Sequence, residues 1–323
     1  MRKVLNRREF IQMAGLASTS FFIPGFLKAA SNSNLSAKPK VLVVIQLSGG
    51  NDGLNCIIPY RNDLYYQLRP HIGYRKNELI ALSDDVGLNL QMSGIADLFY
   101  NGDVVMINNV GYPNPNRSHF RSMDIWQSGS DADNYWQTGW LGRALDAQCT
   151  PGKIIKPHAA IEIDDSLSLA LKGENVSGFA TSNMEILRGA LENPLMHQLA
   201  EKGNGEHGDS QVAYLYKQLA ATSESANYIY AQSKIYHTQT DYPDTPLGRQ
   251  LKMIAELIIS ETHTSIYYIS HSGFDTHALQ RGQHERQLRQ YSDAVKIFCD
   301  DLKAHHRFSD ILIMTFSEFG RRP

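Results

Sequence analysis

The sequence is short of cysteine, of net charge and of long apolar runs, and each shortage excludes a class of protein. Cys56, Cys149 and Cys299 are the only thiols in 323 residues, an odd number at wide spacings. They form neither the framework of a disulfide scaffold nor the Cys-x2-Cys pairs of a zinc ribbon. At most one bridge is possible, and core thiols are expected. A formal net charge of −2 gives no basic field for nucleic acid. No segment has the ~20 consecutive apolar residues that a membrane-spanning helix needs, so no stable span is expected. No internal repeat is visible. An apolar fraction of 42% is enough for a substantial core.

The N-terminus carries an address. Arg7 and Arg8 are adjacent, Phe10 and Ile11 follow, and a weakly apolar stretch from Met13 to Leu27 holds Gly15, Ser18, Thr19, Ser20 and Pro24. Paired arginines ahead of a short, soft apolar run match a twin-arginine export signal. Residues 1–31 are read as this signal, with small residues for cleavage at Ala29-Ala30-Ser31, and 32–39 as a polar linker. Residues 40–323 are read as one domain with a helical insertion at about 183–240. The twin-arginine translocase is then an expected partner, and the periplasm or the extracellular space the expected destination.

Apolar strand patterns alternate with helical ones. Val41–Leu47, Val104–Asn108, His158–Ile163, Ser265–Ser270 and Ile311–Thr315 read as strands, several of them continuous apolar runs suited to burial on both faces. Met92–Tyr100, the stretch after Ser118 through Trp126, Trp140–Ala147, Leu247–Ser260 and Gln280–His305 read as helices. This order predicts an α/β fold, three α/β/α layers around a mostly parallel sheet.

Ligands of such sheets sit beyond the carboxyl ends of the strands. Polar clusters follow the strands there: Asp52, Ser118 with His119, Asp275 with His277, and Glu318. Carboxylates and imidazoles converging on one rim suit a divalent metal, with Asp275-x-His277 supplying two ligands from one extended loop. His271 and His284 stand in reserve. Ser118 begins a helix, where backbone N–H groups would hold an anion beside a hydroxyl nucleophile. Arg117 and Arg121 could grip a tetrahedral oxyanion. Structural roles compete with each of these: Ser118 as an N-cap, Asp52 as a turn residue, Glu318 as an ion-pair partner of Arg321 or Arg322, His277 as an interior hydrogen-bonding group. The aromatic group Trp126, Tyr135, Trp136 and Trp140 reads as packing for the segment after Ser118.

Four ordered motifs, Gln46-Leu47-Ser48-Gly49-Gly50-Asn51-Asp52-Gly53-Leu54-Asn55, Gly111-Tyr112-Pro113-Asn114-Pro115-Asn116-Arg117-Ser118-His119-Phe120, Gly273-Phe274-Asp275-Thr276-His277 and Thr315-Phe316-Ser317-Glu318-Phe319-Gly320-Arg321, resemble those of the bacterial "domain of unknown function 1501" family. That family is similar in turn to the alkaline phosphatase and sulfatase superfamily. The resemblance implies an alkaline-phosphatase-like fold, with Ser118 near the nucleophile's place; His119, Arg117 and Arg121 are read as catalytic residues beside it. It implies a metal (zinc, calcium, manganese or magnesium) on Asp52, Asp275, His277 and Glu318. The superfamily tends to have Asp-His where Glu318 stands. It also implies an Asp-His-Gly motif downstream of Pro323, so the sequence is expected to be a fragment.

Two functions follow as expectations. One is an exported metal-dependent hydrolase of small phosphate or sulfate esters. The other is a non-catalytic exported protein that keeps the fold and binds a partner or an envelope polymer. A phosphate cradle at Ser48–Gly53 is weaker, because no G-x-G-x-x-G and no Lys-Ser/Thr accompany the glycines.

Overall fold

A computed structural model describes residues 40–149, 155–194, 198 and 210–321. Residues 1–31, read from the sequence as an export signal, the expected linker 32–39 and the polar stretch 202–209 lie outside the described residues. In chain order the helices are α1 (Gly53–Cys56), α2 (Asp63–Leu68), α3 (Ser93–Tyr100), α4 (His119–Ser128), α5 (Trp140–Asp146), α6 (Met184–Leu191), α7 (Ser210–Gln232), α8 (Pro246–Ile259) and α9 (Gln280–Ala304). The strands are β1 (Val41–Leu47), β2 (Ile57–Ile58), β3 (Leu79–Ala81), β4 (Gly87–Asn89), β5 (Ala160–Glu162), β6 (Phe179–Ala180), β7 (Ile266–His271) and β8 (Ile311–Ser317).

The fold is α/β, as its alternating pattern predicts. The central sheet has five strands in the order β6-β5-β7-β1-β8, and every pairing in it is parallel. All seven residues of β1 are buried, because β1 has a strand on each side and helices on each face. Val41, Val43 and Ile45 join Tyr267 and Ile269 on one face, packed with α3, α8 and α9. Leu42 and Val44 join Ile266 and Tyr268 on the other, under Leu141 and Leu145 of α5. Val43, Val44 and Ile45 are each fully buried, a contribution of about 1.5–3 kcal/mol apiece. A small antiparallel sheet, β2-β4-β3, follows α1.

Local signals explain the helices that frame the site. Thr245 caps α8 by accepting the Gly248 N–H at 3.1 Å, with Pro246 in the first turn. Leu247, Leu251, Ile254, Ala255 and Ile258 then fall on one buried stripe. α4 stops at Gly129, whose φ of 66° closes the helix in the left-handed region. Trp126 stacks on Phe316 of β8 at 5.4 Å, fixing α4 over the sheet.

One expected strand does not form. Residues 104–108 belong to no strand, and 104–117 make no backbone–backbone hydrogen bonds among the described residues. Val104 and Met106 rest on the core, while Val105 and Ile107 are 84% and 75% exposed. The apolar alternation is there, but no described strand pairs with it, and β8 is the edge of the sheet. Cys56, Cys149 and Cys299 are free thiols, and burial pushes Cys56 and Cys299 up to about 12. Among the described residues no helix is long and apolar enough to cross a membrane.

Candidate functional site

Three loops leave the carboxyl ends of β1, β7 and β8 and close against one another. Ser48-Gly49-Gly50 leaves β1 with φ of 115° at Gly49 and 74° at Gly50, conformations that favour glycine. A Cβ on Gly49 would collide with the Asp275 backbone nitrogen and approach the Phe274 carbonyl carbon to 2.9 Å. A Cβ on Gly50 would run into the Phe319 ring. The glycines therefore serve close approach of the three loops.

Glu318 stands at the centre and is 1% exposed. Its Oε1 accepts the Gly49 N–H at 2.8 Å and lies 2.8 Å from His119 Nδ1; its Oε2 accepts the Ser317 hydroxyl at 3.1 Å. A buried carboxylate demands such donors. His119 Nε2 faces a second carboxylate, Asp275 Oδ1, at 3.4 Å, and the ring rests 4.8 Å from Phe319. His277 Nε2 is 2.9 Å from Asp275 Oδ1, and the His277 side chain is largely exposed. Burial works to raise the Asp275 carboxyl, but hydrogen bonds from Arg321 and His277 and the charge of the imidazoles outweigh it, leaving the group below its ordinary value.

Arg321 binds the three loops together. Its guanidinium donates to the Gly49, Gly50 and Phe274 carbonyls at 3.0, 3.1 and 3.1 Å and to Asp275 Oδ1 at 2.6 Å. Arg321 is read from the sequence only as a possible partner of Glu318; its ion pair is with Asp275. The one signal that could have found this role is its place in the same motif as Glu318.

Asp52 is drawn away from this cluster. It is 2% exposed, and its Oδ2 accepts from Arg69 Nη1 at 2.6 Å and from Gln280. Its Oδ1 has no partner among the described residues. Arg69 lies in no motif, so the sequence offered nothing to single it out. His284, one helical turn after Gln280, packs inward: its Nε2 is 2.8 Å from Asn51 Oδ1, and burial lowers it to about 4. His271 is also interior, edge-on to Phe274 at 5.4 Å.

The helix that carries His119 begins at Ser118, which is exposed at the N-cap and makes no side-chain cap hydrogen bond. The Ser118 N–H is held by Asn116 Oδ1 at 2.8 Å, and Ser122 N–H is the first in α4 to reach an acceptor within the helix, the Ser118 carbonyl at 2.9 Å. The N–H groups of His119, Phe120 and Arg121 therefore point out of the helix end unpaired within it. Arg117 beside them is exposed. Arg121 is spent elsewhere: it is 8% exposed, donates to the Ala132 and Asn134 carbonyls at 2.7 and 2.6 Å, and lies 3.8 Å from the Tyr135 ring. It fixes the turn after α4 and does not face the rim. Tyr135 and Trp136 are exposed, each covering an arginine, Arg121 and Arg143.

The rim thus brings together His119, Asp275, His277 and Glu318, leaves Ser118 and Arg117 open beside them, and separates Asp52 and Arg121 from them. The four expected metal ligands do not fit a metal as they stand. Asp52 pairs with Arg69, Asp275 pairs with Arg321, and Glu318 Oε1 already accepts the Gly49 N–H and lies against His119 Nδ1. Among the described residues no group of three or more His, Cys, Asp or Glu side chains is arranged to hold a metal ion.

No curated protein and no solved structure matches the chain. The model of the family described as "Protein of unknown function (DUF1501)" matches residues 105–323, which include three of the four motifs. That match takes in more than half of the chain, and the protein belongs to the DUF1501 family.

Proposed function

We propose that this protein is an exported hydrolase of phosphate or sulfate esters, akin to the alkaline phosphatase and sulfatase superfamily in its sheet, with its active centre on His119. The observation that carries the reading is the 2.8 Å contact of His119 Nδ1 with the buried Glu318 carboxylate. A carboxylate so held orients the imidazole ring through Nδ1–H, and Nε2, 3.4 Å from Asp275 Oδ1, is the nitrogen that would exchange a proton with substrate. The unpaired N–H groups at the start of α4 and the exposed Arg117 supply a seat for a tetrahedral anion.

In this mechanism water attacks the phosphorus or sulfur of an ester seated at the α4 N-terminus. Its proton passes to His119 Nε2, the bond from phosphorus or sulfur to the ester oxygen breaks, and the leaving oxygen takes the proton from Nε2. The products are the alcohol and phosphate or sulfate. Ser118 Oγ has no hydrogen bond to an imidazole or carboxylate among the described residues, so it lines the anion seat, and no step is routed through a metal. Arg7 and Arg8 support export by the twin-arginine translocase to the periplasm or beyond.

The experiment is a panel of aryl phosphate and aryl sulfate esters offered to the purified protein. Turnover that falls with Arg117→Ala, chiefly through KM, supports the reading; no turnover of any ester overturns it. The internal ion pairs Arg69–Asp52 and Arg321–Asp275 favour a second reading, a non-catalytic rim built for rigidity. That reading expects the second result.

A further inference from the structure

We propose that a cleft beyond the carboxyl ends of β5 and β6 is a second ligand site, for a small organic cation with an apolar body, such as an arylalkyl primary ammonium. The cleft lies on the carboxyl side of the sheet, two strands out from β1, and so stands apart from the His119 centre. Its volume is about 250 Å³, a little under the ~300–1,000 Å³ of drug-sized ligand pockets, which suits a small ligand.

Its walls come from four elements. Phe179 of β6, Leu187 of α6 and Ala226 of α7 are each less than 10% exposed and form an apolar floor. Leu219, Ser223 and Ala226 recur at spacings of four and three, so α7 presents one face to the cleft. Ile186 lines the cleft and is 58% exposed, apolar surface that a bound ligand would cover.

Among the described residues the charge in the lining is of one sign: Asp164 and Asp165, which follow β5, line the cleft, and no described Lys, Arg or His does. Asp164 Oδ1 accepts only the Asp165 N–H, at 2.7 Å, and among the described residues neither carboxylate has an ion-pair partner. An apolar pocket with two uncompensated carboxylates repels anions and gives a neutral ligand no charge to meet. An ammonium donates hydrogen bonds to the carboxylates while its apolar body fills the floor. Thr181, Ser182 and Ser223 add hydroxyls along the wall.

Calorimetric titration with 2-phenylethylammonium and with 3-phenylpropionate, which share the body and differ in charge, tests the assignment. The ammonium is expected to bind at least tenfold more tightly at low salt, and more weakly as salt rises. In Asp164→Asn/Asp165→Asn the ammonium affinity should fall at least tenfold while thermal melting stays as in the wild type. In Ala226→Phe, which fills the floor, binding should be lost. Absence of ammonium binding, equal or tighter binding of the carboxylate, or undiminished affinity in the double variant would each overturn the proposal.

Discussion

Arg69 and Asp52 form an ion pair with both side chains out of water: Nη1 is 2.6 Å from Oδ2, with 0% and 2% of the side chains exposed. Asp52, expected as a metal ligand, is the acid half of a buried pair that anchors the loop after β1. Removing one partner strands the other charge in the interior, which costs far more than the pair's net worth. Arg69→Leu should destabilise the fold by about 3–5 kcal/mol in urea unfolding. The exposed pair Arg61–Asp85, at 3.6 Å, is the control, and Arg61→Ala should cost no more than ~1 kcal/mol.

Glu162 makes stability depend on pH. It is 3% exposed on β5, and desolvation by burial raises its carboxyl to about 7, even though the Ser168 N–H donates to it at 2.6 Å. The folded state therefore keeps a proton that the unfolded state loses near pH 4.5, and stability falls as pH rises from about 4.5 to about 7. Glu162→Gln should remove that loss. It should match the wild type at pH 4 and exceed it by up to about 3 kcal/mol at pH 8, a figure read from the shift at 1.36 kcal/mol per unit. Urea unfolding of both proteins across this range measures the difference.

Gly49 joins fold and site. Its φ of 115° and the closeness of the 274–275 backbone leave no room for a side chain. Gly49→Ala should cost on the order of 3 kcal/mol. It should also shift the His119 imidazole resonances in NMR spectra, because the Gly49 N–H is one of the donors on Glu318. Gly102 also has a positive φ, of 79°, but nothing stands near its Cβ position. Gly102→Ala should cost about 1 kcal/mol, through backbone conformation alone.

Much of the fold was legible because hydrophobic period reports burial. The apolar run of β1 and the stripes of α8 and α9 depend on the residues of those elements themselves. Residues 104–108 carry the same signal without forming a strand, since pairing depends on a neighbour that composition does not reveal. The difference is measurable: Val105→Thr and Ile107→Thr should each change stability by less than ~0.5 kcal/mol, as exposed positions do, and lower the binding of a hydrophobic dye. A buried strand would lose more than ~1 kcal/mol at each.

The site was legible in its residues and less so in its contacts. Asp275, His277 and Glu318 could be found because each follows a strand's carboxyl end in a parallel sheet, whereas His119 reaches the rim although the strand expected before it, 104–108, does not form. Their partners could not. Arg69 is 17 positions from Asp52 in a loop without a motif, and Arg121 beside Ser118 turns to carbonyls of the following turn. Which charge meets which is decided by loop paths, and spacing along the chain carries little of that.

In the proposed reaction His119, held by Glu318, moves the proton in ester hydrolysis. The most direct measurement is kcat/KM for the ester the wild type turns over fastest, compared with His119→Ala. It should fall about 10²–10⁴-fold, less in Glu318→Gln, with thermal melting of His119→Ala within a few degrees of the wild type. A His119→Ala protein that keeps the wild-type rate would contradict this role.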